Sequence, residues 1–295
     1  MKEIAMAEPN KTAVVTGVSS GIGRAICQSL ITDGWHVFGS VRQQKDADDA
    51  AAVLGSSFSP LIFDVTDDAA IKKAAAVVSD HLNGRTLGAL VNNAGIAVGG
   101  PVRYLPLEDL QRQFDINVYG PLRATQAFLH MLGTDKRTEG VPGKIINMSS
   151  VAGKIASPFM SPYAMSKHAL EAMSDSLRRE LLIHGIDVVV VAPGAVQTPI
   201  WAKADDMDLE QYANTEYGPI LLGMKKQMQT VGEQGLPPEE IGRLVRDILN
   251  GKKTKTRYAA LKNKLMLWWL PMIAPKRQVD RAIAKRFNIE IRNDV

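Results

Sequence analysis

The sequence is nearly free of cysteine and has no long apolar run, and each absence excludes a class of protein. Its single cysteine, Cys27, cannot form an internal disulfide, so nothing points to an oxidising compartment. Residues 1–11 lack the apolar run of a secretory signal. The longest apolar stretch, residues 265–274, is too short to cross a bilayer and contains Pro271. We therefore expect a cytoplasmic protein in which Cys27 is a small buried hydrophobe.

Histidine is sparse, and an excess of positive charge is found only in the C-terminal tail. The five histidines show no metal-ligand spacing, so no metal site is predicted. Residues 251–295 carry 12 Lys and Arg against 3 Asp and Glu, whereas the rest of the chain has a net charge of −5. This asymmetry indicates a surface role for the tail. No nucleic-acid-binding motif accompanies it, so nucleic acid is not an expected partner.

Short apolar runs alternate with segments of helical periodicity along the 295 residues. The predicted strands cover residues 11–17, 36–41, 60–64, 87–92, 144–148, 187–191 and 257–260. The predicted helices cover residues 21–32, 47–54, 68–82, 107–132, 161–183 and 237–249. Apolar strands that alternate with helices are typical of a parallel sheet buried on both faces. We therefore predict an α/β fold that is doubly wound and Rossmann-type, with helices on both faces of a central parallel sheet.

A glycine-rich loop, TGVSSGIG (residues 16–23), joins the first strand to the first helix. Its spacing is neither the G-x-G-x-x-G fingerprint nor the P-loop pattern. Glycines allow a tight turn and close backbone approach, and a helix N-terminus favours an anion. The hydroxyls of Ser19 and Ser20 add donors for phosphate oxygens. The loop therefore indicates a phosphate site, with a purely structural turn as the alternative.

The second strand ends in Ser40-Val41-Arg42 and supplies no acidic residue for a ribose 2′-hydroxyl. The Arg42 guanidinium can instead form two hydrogen bonds with a 2′-phosphate. This residue favours NADP over NAD, unless Arg42 is only a solvated surface residue.

A tyrosine and a lysine stand four positions apart in YAMSK, residues 163–167. On a helix, Tyr163 and Lys167 lie on one face, one turn apart. Free tyrosine has a pKa near ~10, and each tenfold increase in its acidity needs about 1.4 kcal/mol of favourable field. One exposed lysine cannot make the phenol acidic enough for a base at neutral pH. Lys167 together with an oxidised nicotinamide in a water-poor cleft can do so. The pair is therefore either an acid/base centre beside a dinucleotide or an ordinary surface pair.

Five motifs occur in one order: TGVSSGIG, NNAG at residues 92–95, Asn117 in DINVYG, Ser150 in NMSSVAG, and YAMSK. With them the chain resembles the short-chain dehydrogenase/reductase family, in its ordinary single-domain branch and nearest to the retinol and hydroxysteroid dehydrogenases. The resemblance covers about residues 11–198, including PGAVQT at residues 193–198, and is only general beyond them.

The resemblance implies four catalytic residues. Tyr163 is the expected acid/base, and Lys167 is expected to lower its pKa and to bind the nicotinamide ribose. Ser150, rather than Ser149, is expected to orient the substrate, and Asn117 to hold a water that relays protons from Lys167. The expected cofactor-binding residues are Gly17, Ser19, Ser20, Gly21, Ile22, Gly23, Arg42, Asp64, Val65, Asn92, Ala94, Gly95, Tyr163, Lys167, Pro193, Gly194, Val196 and Thr198.

No repeat or linker divides the chain, so one domain is the simplest organisation. We assign residues 1–10 to a leader, residues 11–260 to the dinucleotide-binding and catalytic domain, and residues 261–295 to a basic amphipathic extension. Within the domain, residues 197–236 follow the sixth strand, at the sheet edge where ligands bind in such folds. Their methionines and tyrosines favour an adaptable apolar lid, with ordinary core as the alternative.

These features predict an NADP(H)-preferring alcohol dehydrogenase or carbonyl reductase, with NAD(H) possible and a lipophilic alcohol or carbonyl compound as substrate. A catalytically idle NADP(H)-binding redox sensor that acts through a protein partner is the alternative. A sugar-nucleotide epimerase of the extended branch fits the glycine spacing poorly. In the family the helices at residues 107–132 and 161–183 pair subunits, so a homodimer or homotetramer is implied.

The tail carries an amphipathic pattern. Trp268 and Trp269 are followed by Val279, Ile283 and Phe287 on one helical face, with basic residues elsewhere. Such a segment can lie in a membrane interface, which would give peripheral membrane association. A terminal helix packed on the substrate lobe or on a subunit partner is the alternative.

Overall fold

A seven-stranded parallel sheet forms the centre of the protein. The computed structural model describes residues 10–199, 210–251 and 255–289. The predicted leader up to residue 9, residues 200–209 of the predicted lid and the last six residues of the tail lie outside the described residues. The strands are β1 Thr12–Val15, β2 His36–Val41, β3 Phe58–Ile62, β4 Ala89–Asn92, β5 Lys144–Met148, β6 Asp187–Pro193 and β7 Arg257–Ala260.

The strand order is β3-β2-β1-β4-β5-β6-β7, so the chain reverses its direction of travel across the sheet between β1 and β4. In open α/β sheets a ligand binds outside the carboxyl ends of the strands at such a reversal. The order therefore places the glycine loop after β1 beside the NNAG segment after β4. The predicted doubly wound Rossmann-type fold is confirmed.

Helices cover both faces of the sheet. They are α1 Gly21–Thr32, α2 Gln44–Leu54, α3 Asp68–Leu82, α4 Leu107–Phe114, α5 Gly120–Phe128, α6 Ser161–Glu180, α7 Gly218–Glu233, α8 Pro238–Asn250, α9 Leu270–Ile273 and α10 Lys276–Arg286. The side chain of Asp67 accepts a hydrogen bond from the Ala70 N–H, as its sequence position before α3 predicts. No helix within the described ranges is both long enough and apolar enough to span a membrane.

Most predicted boundaries lie within three residues of those in the structure, and two of the differences bear on the fold and the site. Strand β3 begins at Phe58 rather than at residue 60, because Phe58 and Ser59 already pair with β2. The single helix predicted over residues 107–132 contains two π-helical turns, Asp115–Tyr119 and His130–Thr134. The first of these turns holds the predicted site residue Asn117.

Alternate residues of the central strands pack on opposite faces of the sheet. Val15, Val91 and Val189 belong to the core beneath α1 and α8, while their strand neighbours Val14 and Leu90 belong to the core beneath α3 and α5. Burial of a Val or Leu side chain stabilises a fold by about 1.5–3 kcal/mol. Both faces are therefore apolar, which explains the continuous apolar runs in the sequence.

Candidate active site

The candidate site lies at the carboxyl edge of the sheet, where the segments after β1, β4, β5 and β6 meet. The structure brings Ser150, Tyr163 and Lys167 together there, with Asn117 behind them. Asp64 and Val65 follow β3, and Arg42 follows β2, so these three residues lie further along the same edge. The polar side chains are therefore spread over a length of edge that suits an elongated ligand.

The glycine loop is held in a conformation that requires glycine. Gly17 and Gly21 have φ angles of +71° and +59°, in the left-handed region that favours glycine. A Cβ on Gly23 would lie 2.2 Å from the Gly17 carbonyl oxygen, so the start of α1 packs directly on the loop. Ser19 and Ser20 are exposed, Gly21 and the adjoining Ile22 are partly exposed, and Gly23 is buried.

Thr16 and Asn93 fasten this loop to the segment after β4, a role that the sequence analysis missed. The Thr16 hydroxyl oxygen accepts hydrogen bonds from the backbone N–H groups of Asn93 at 2.9 Å and of Ala94 at 3.0 Å. The Asn93 side-chain amide donates to the carbonyls of Thr16 and Gly17, both at 2.9 Å. Asn93 belongs to the NNAG motif. The signal in the sequence was a second polar residue in a motif that follows the strand next to the glycine loop.

The chemistry of this cradle fits a dinucleotide. Gly17, Gly21 and Gly23 leave the backbone open at the N-terminus of α1, with the exposed Ser19 and Ser20 beside them. Arg42 is exposed at the end of β2, and the Ser40 hydroxyl oxygen accepts a hydrogen bond from the Gly17 N–H at 3.0 Å. The Asp64 carboxylate accepts hydrogen bonds from the Thr66 N–H and hydroxyl. A pyrophosphate and a 2′-phosphate would both find donors along this line.

The structure does not bring the Asn92 side chain into the site. Its amide donates to the Asn147 side-chain oxygen at 2.8 Å and to the Thr125 hydroxyl at 3.2 Å, and the residue is buried. The side chain points between β5 and α5 because Asn92 is still within strand β4. Ala94 and Gly95, which follow the strand, lie nearer to Gly17 and Lys167 respectively.

Lys167 is fully enclosed behind Tyr163. Its ammonium donates a 2.8 Å hydrogen bond to the Met148 carbonyl at the end of β5, and it lies 5.7 Å from the centre of the Tyr163 ring. Burial lowers the pKa of Lys167 to about 8, and the Glu171 carboxylate one turn further along α6 acts in the opposite direction. The predicted one-face arrangement of the pair is thus present.

Burial raises the pKa of the Tyr163 hydroxyl, and the neighbouring Ser150 hydroxyl opposes this shift. Tyr163 as a residue is still partly exposed, so the desolvation concerns mainly its hydroxyl end. The protein's own groups therefore favour the neutral phenol. The lower pKa that the sequence analysis expects depends on the charge of an oxidised nicotinamide as well as on Lys167, and it stays a prediction.

Ser150, rather than Ser149, faces Tyr163. Its hydroxyl accepts a hydrogen bond from the Ala152 N–H at 3.1 Å and approaches the Pro193 carbonyl at 3.5 Å. The Ser149 hydroxyl is buried elsewhere, 2.7 Å from the position of a Cβ on Gly153. The offset of Ser150 from Tyr163 in the sequence therefore selects the serine that the structure places beside the phenol.

Asn117 is fixed by a hydrogen-bond network. Its side-chain oxygen accepts from the Ile96 N–H, and its amide donates to the Ile96 carbonyl, both at 2.9 Å, and to the Ser166 hydroxyl at 3.3 Å. A Cβ on Gly95 would lie 3.2 Å from the Asn117 side-chain oxygen and 3.8 Å from the Lys167 nitrogen. Asn117 and Lys167 therefore face the same point.

The fully buried Gln113 also bonds Ser166, and the sequence analysis missed both Gln113 and Ser166.

The segment after β6 closes the site from the other side. The Gly194 N–H donates to the Ala260 carbonyl at 2.8 Å, and Val196 is buried. The Thr198 methyl would lie 3.1 Å from a Cβ on Gly21, so this segment reaches the glycine loop. Pro193, which accepts the contact from Ser150, therefore joins the two halves of the site.

A Rossmann-type fold with a glycine-rich first loop and a Tyr–Lys pair at the carboxyl edge of its sheet defines a dinucleotide-dependent class of protein. A family model described as short chain dehydrogenase matches residues 11–209. The chain belongs to this family, and the resemblance seen in its motifs is confirmed.

Similar proteins extend over almost the whole chain. A protein of Ornithobacterium rhinotracheale named NADPH-dependent 3-dehydrocapnine reductase is 40% identical over 273 residues, which are 92% of this chain and 96% of that protein. Human retinol dehydrogenase 5 is 30% identical over 288 residues, covering 93% of this chain and 88% of its own length. The crystal structure of a short-chain dehydrogenase from Streptomyces avermitilis is 27% identical, with a TM-score of 0.73 and coverage of 96% and 97% of the two chains.

Proposed function

We propose that the protein is an NADP(H)-preferring oxidoreductase that interconverts a lipophilic alcohol and its ketone or aldehyde. The main support is the cluster of Tyr163, Ser150 and Lys167 at the same sheet edge as a glycine loop that fits a dinucleotide. The names of the two similar proteins, one an NADPH-dependent reductase and the other a retinol dehydrogenase, agree with this reaction class.

The residues that would hold the cofactor form a line along the sheet edge. The glycine loop and its two serines would take the pyrophosphate, and Arg42 would take a 2′-phosphate. Asp64 and Val65 would lie at the adenine end, and the segment from Pro193 to Thr198 at the nicotinamide end. When bound, the nicotinamide cofactor supplies or accepts the hydride.

Tyr163 would transfer the proton at the substrate oxygen. Because burial raises the pKa of its hydroxyl, Tyr163 is a neutral phenol at neutral pH and can donate a proton to a carbonyl oxygen. Ser150, which faces the phenol, would hold the same oxygen in place. This state suits the reductive direction, and the oxidative direction would need the additional positive charge of an oxidised nicotinamide to favour the phenolate.

Lys167 and Asn117 would return the proton to Tyr163. The pKa of Lys167, lowered to about 8, permits proton exchange near neutral pH. The Asn117 side-chain oxygen and the Lys167 nitrogen face the same point at Gly95, so one water could contact both groups.

An aromatic cluster supports a lipophilic substrate. Phe159 stands four residues before Tyr163, and its ring contacts Tyr217 at a centroid distance of 5.4 Å, with Tyr104 on the far side of Tyr217 at 6.3 Å. All three rings are partly exposed, so the cluster presents apolar surface to solvent, and Phe159 lies two residues before α6, the helix that carries Tyr163. We propose that these rings, with α7, form part of the apolar lid expected over residues 197–236.

The same helices that pair subunits in the family carry exposed apolar side chains. Four large side chains there are more than a third exposed: Leu107 on α4, Tyr119 in the π-helical turn between α4 and α5, Leu122 on α5 and Met165 on α6. We propose that these side chains meet in a homodimer or homotetramer of a cytoplasmic protein.

The substitution Tyr163→Phe tests the reaction. We expect turnover to fall by at least ~100-fold, because a phenyl ring cannot transfer a proton, while NADPH binding followed by fluorescence is retained. Tyr119→Phe, which removes an exposed hydroxyl, is the matched control. Turnover should be sought with a panel of ketones and alcohols and all four nicotinamide cofactors. Tight NADPH binding with no turnover on any substrate would support the idle sensor instead.

A further inference from the structure

The C-terminal part of the structure exposes a short, almost wholly apolar segment. The π-helical turn Leu265–Trp269 continues into α9, Leu270–Ile273, and we name these nine residues the apolar segment. Leu265 is 71% exposed and Ile273 is 76% exposed. The other exposed large apolar side chains of the segment are Met266, Leu267, Trp269, Leu270 and Met272. Monomeric soluble proteins rarely leave so contiguous an apolar patch uncovered.

One side chain of the apolar segment turns inward and fixes its position. Trp268 is 5% exposed and packs with Ala192 and Leu261, with Val151 and Ile155 beside them. Val151 directly follows the candidate catalytic Ser150. The apolar segment is therefore anchored next to the candidate active site, and all its other side chains except the partly exposed Pro271 are exposed.

Basic residues stand on both sides of the apolar segment. Lys262 and Lys264 precede it, Lys276 and Arg277 follow it, and all four are exposed. The described part of the tail, residues 255–289, contains a single acidic residue, Asp280, which lies on α10. An apolar surface with a tryptophan and a rim of positive charge matches the interface of an anionic lipid bilayer.

We propose that the apolar segment and its four flanking basic residues dock the protein on an anionic phospholipid membrane. The nine-residue segment is too short to span the bilayer, so its side chains enter only the headgroup and upper acyl region. Docking in this way would bring the mouth of the candidate site to the lipid surface. The docking does not depend on the proposed reaction, whereas delivery of a lipophilic substrate from the bilayer does.

A second copy of the chain is a poorer occupant of this surface. In a two-fold interface each patch meets the same patch of its partner. The basic residues that flank the apolar segment would then approach those of the other copy, and like charges brought together oppose association. Anionic lipid headgroups complement the same charges.

Vesicle co-sedimentation of the full chain, without substrate or cofactor, tests the docking. We expect the protein to sediment with vesicles of phosphatidylcholine mixed with phosphatidylglycerol, and to bind pure phosphatidylcholine vesicles at least roughly tenfold more weakly. Added salt should weaken the binding, since it screens the charges. Because turnover on a soluble carbonyl compound is measured separately, failure of the docking and failure of the proposed reaction are distinguishable.

Matched variants separate the contribution of the apolar side chains to vesicle binding from that of the basic residues. The apolar variant combines Leu265→Ser with Ile273→Ser and so removes the two most exposed side chains of the apolar segment. Its control combines Leu182→Ser with Ile183→Ser. Ile183 is 84% exposed and lies after α6, at the opposite edge of the sheet. Lys276→Glu with Arg277→Glu reverses the charge, and Lys45→Glu with Lys73→Glu, at exposed positions on α2 and α3, changes the net charge equally.

The apolar and charge-reversal variants should each lower vesicle binding by roughly tenfold, and both controls should bind like the wild type. Circular dichroism and thermal unfolding confirm that each variant folds. Absence of vesicle binding by the wild-type chain would overturn the proposal, as would equal loss of binding in the controls. If the apolar variant changed only the oligomeric state in analytical ultracentrifugation, the surface would be a subunit interface instead.

Discussion

The Glu171 carboxylate on α6 forms an ion pair with the Arg257 guanidinium at the start of β7. Glu171 is 2% exposed, and Lys154 approaches the same carboxylate oxygen at 3.5 Å. Glu171 stands one turn beyond Lys167, and its negative charge raises the pKa of that lysine against the effect of burial. A structural ion pair at the edge of the sheet is thereby coupled to a residue of the candidate active site.

Replacement of Glu171 by Gln tests this coupling. Without the carboxylate the pKa of Lys167 should fall below its present value of about 8, because only burial would then act on it. If activity needs the charged form of Lys167, the alkaline limb of the pH–rate profile should move to lower pH. Arg257 would lose its buried partner, so urea unfolding should show a loss of about 3 kcal/mol, the lower end for a buried pair because Arg257 is partly exposed.

The matched control for this substitution is Asp175→Asn, one turn further along α6. Asp175 pairs with Arg178 nearer the surface, at 3.3 Å, and such pairs contribute about 1 kcal/mol or less. The control should leave the pH–rate profile unchanged. A Glu171→Gln protein that lost stability but kept the alkaline limb in place would show that Glu171 is structural only.

The sequence predicts the centre of the sheet well because β1, β4 and β6 are nearly continuous apolar runs, as strands buried on both faces are. Local i,i+4 spacing predicts that Tyr163 and Lys167 share one face of α6, whereas the choice of Ser150 rests on the family resemblance. The π-helical turn at Asn117 could not be predicted, since π-turns are rare and five residues are too few to show a change in apolar spacing.

The long-range partners could not be predicted either. Glu171 meets Arg257 only because β7 pairs with β6 in a register that places Arg257 beside Val190. The Asn92 side chain bonds Asn147 and Thr125 because Asn92 is the last residue within β4 rather than the first residue beyond it, and its contact with a cofactor stays a prediction. Such assignments depend on strand register and strand ends, which local sequence leaves open.

Substitution of Arg42 tests the cofactor preference. Arg42 is exposed at the end of β2, where a 2′-phosphate would lie. A charge-assisted hydrogen bond contributes about 1.5–3 kcal/mol, so Arg42→Ala should lower kcat/KM for NADPH by about 10–100-fold and leave that for NADH nearly unchanged. Lys45→Ala, at an exposed position nearby on α2, should change neither value. Equal losses with both cofactors in the Arg42→Ala protein would contradict the assignment.

The third glycine of the loop should tolerate no side chain. A Cβ at Gly23 would lie 2.2 Å from the Gly17 carbonyl oxygen and 2.6 Å from the Asn93 amide nitrogen, and the first of these is rigid backbone. Gly23→Ala should therefore abolish dinucleotide binding in a calorimetric titration and lower the free energy of unfolding by about 1–3 kcal/mol. Gly223→Ala on α7, where a Cβ meets no atom within 4 Å, should instead stabilise the protein by about 0.5–1 kcal/mol.

Cys27 should be inert in the folded protein and reactive once the chain unfolds. It is fully buried on α1 in the core beneath the sheet, and burial raises the pKa of its thiol to about 12. Since only the thiolate reacts with a disulfide reagent, the native protein at mildly alkaline pH should release no chromophore from such a reagent. In urea the thiol returns to a pKa near ~8.5 and one equivalent should react. Rapid reaction of the native protein would mean that α1 opens readily from the sheet, and with it the glycine loop that α1 supports.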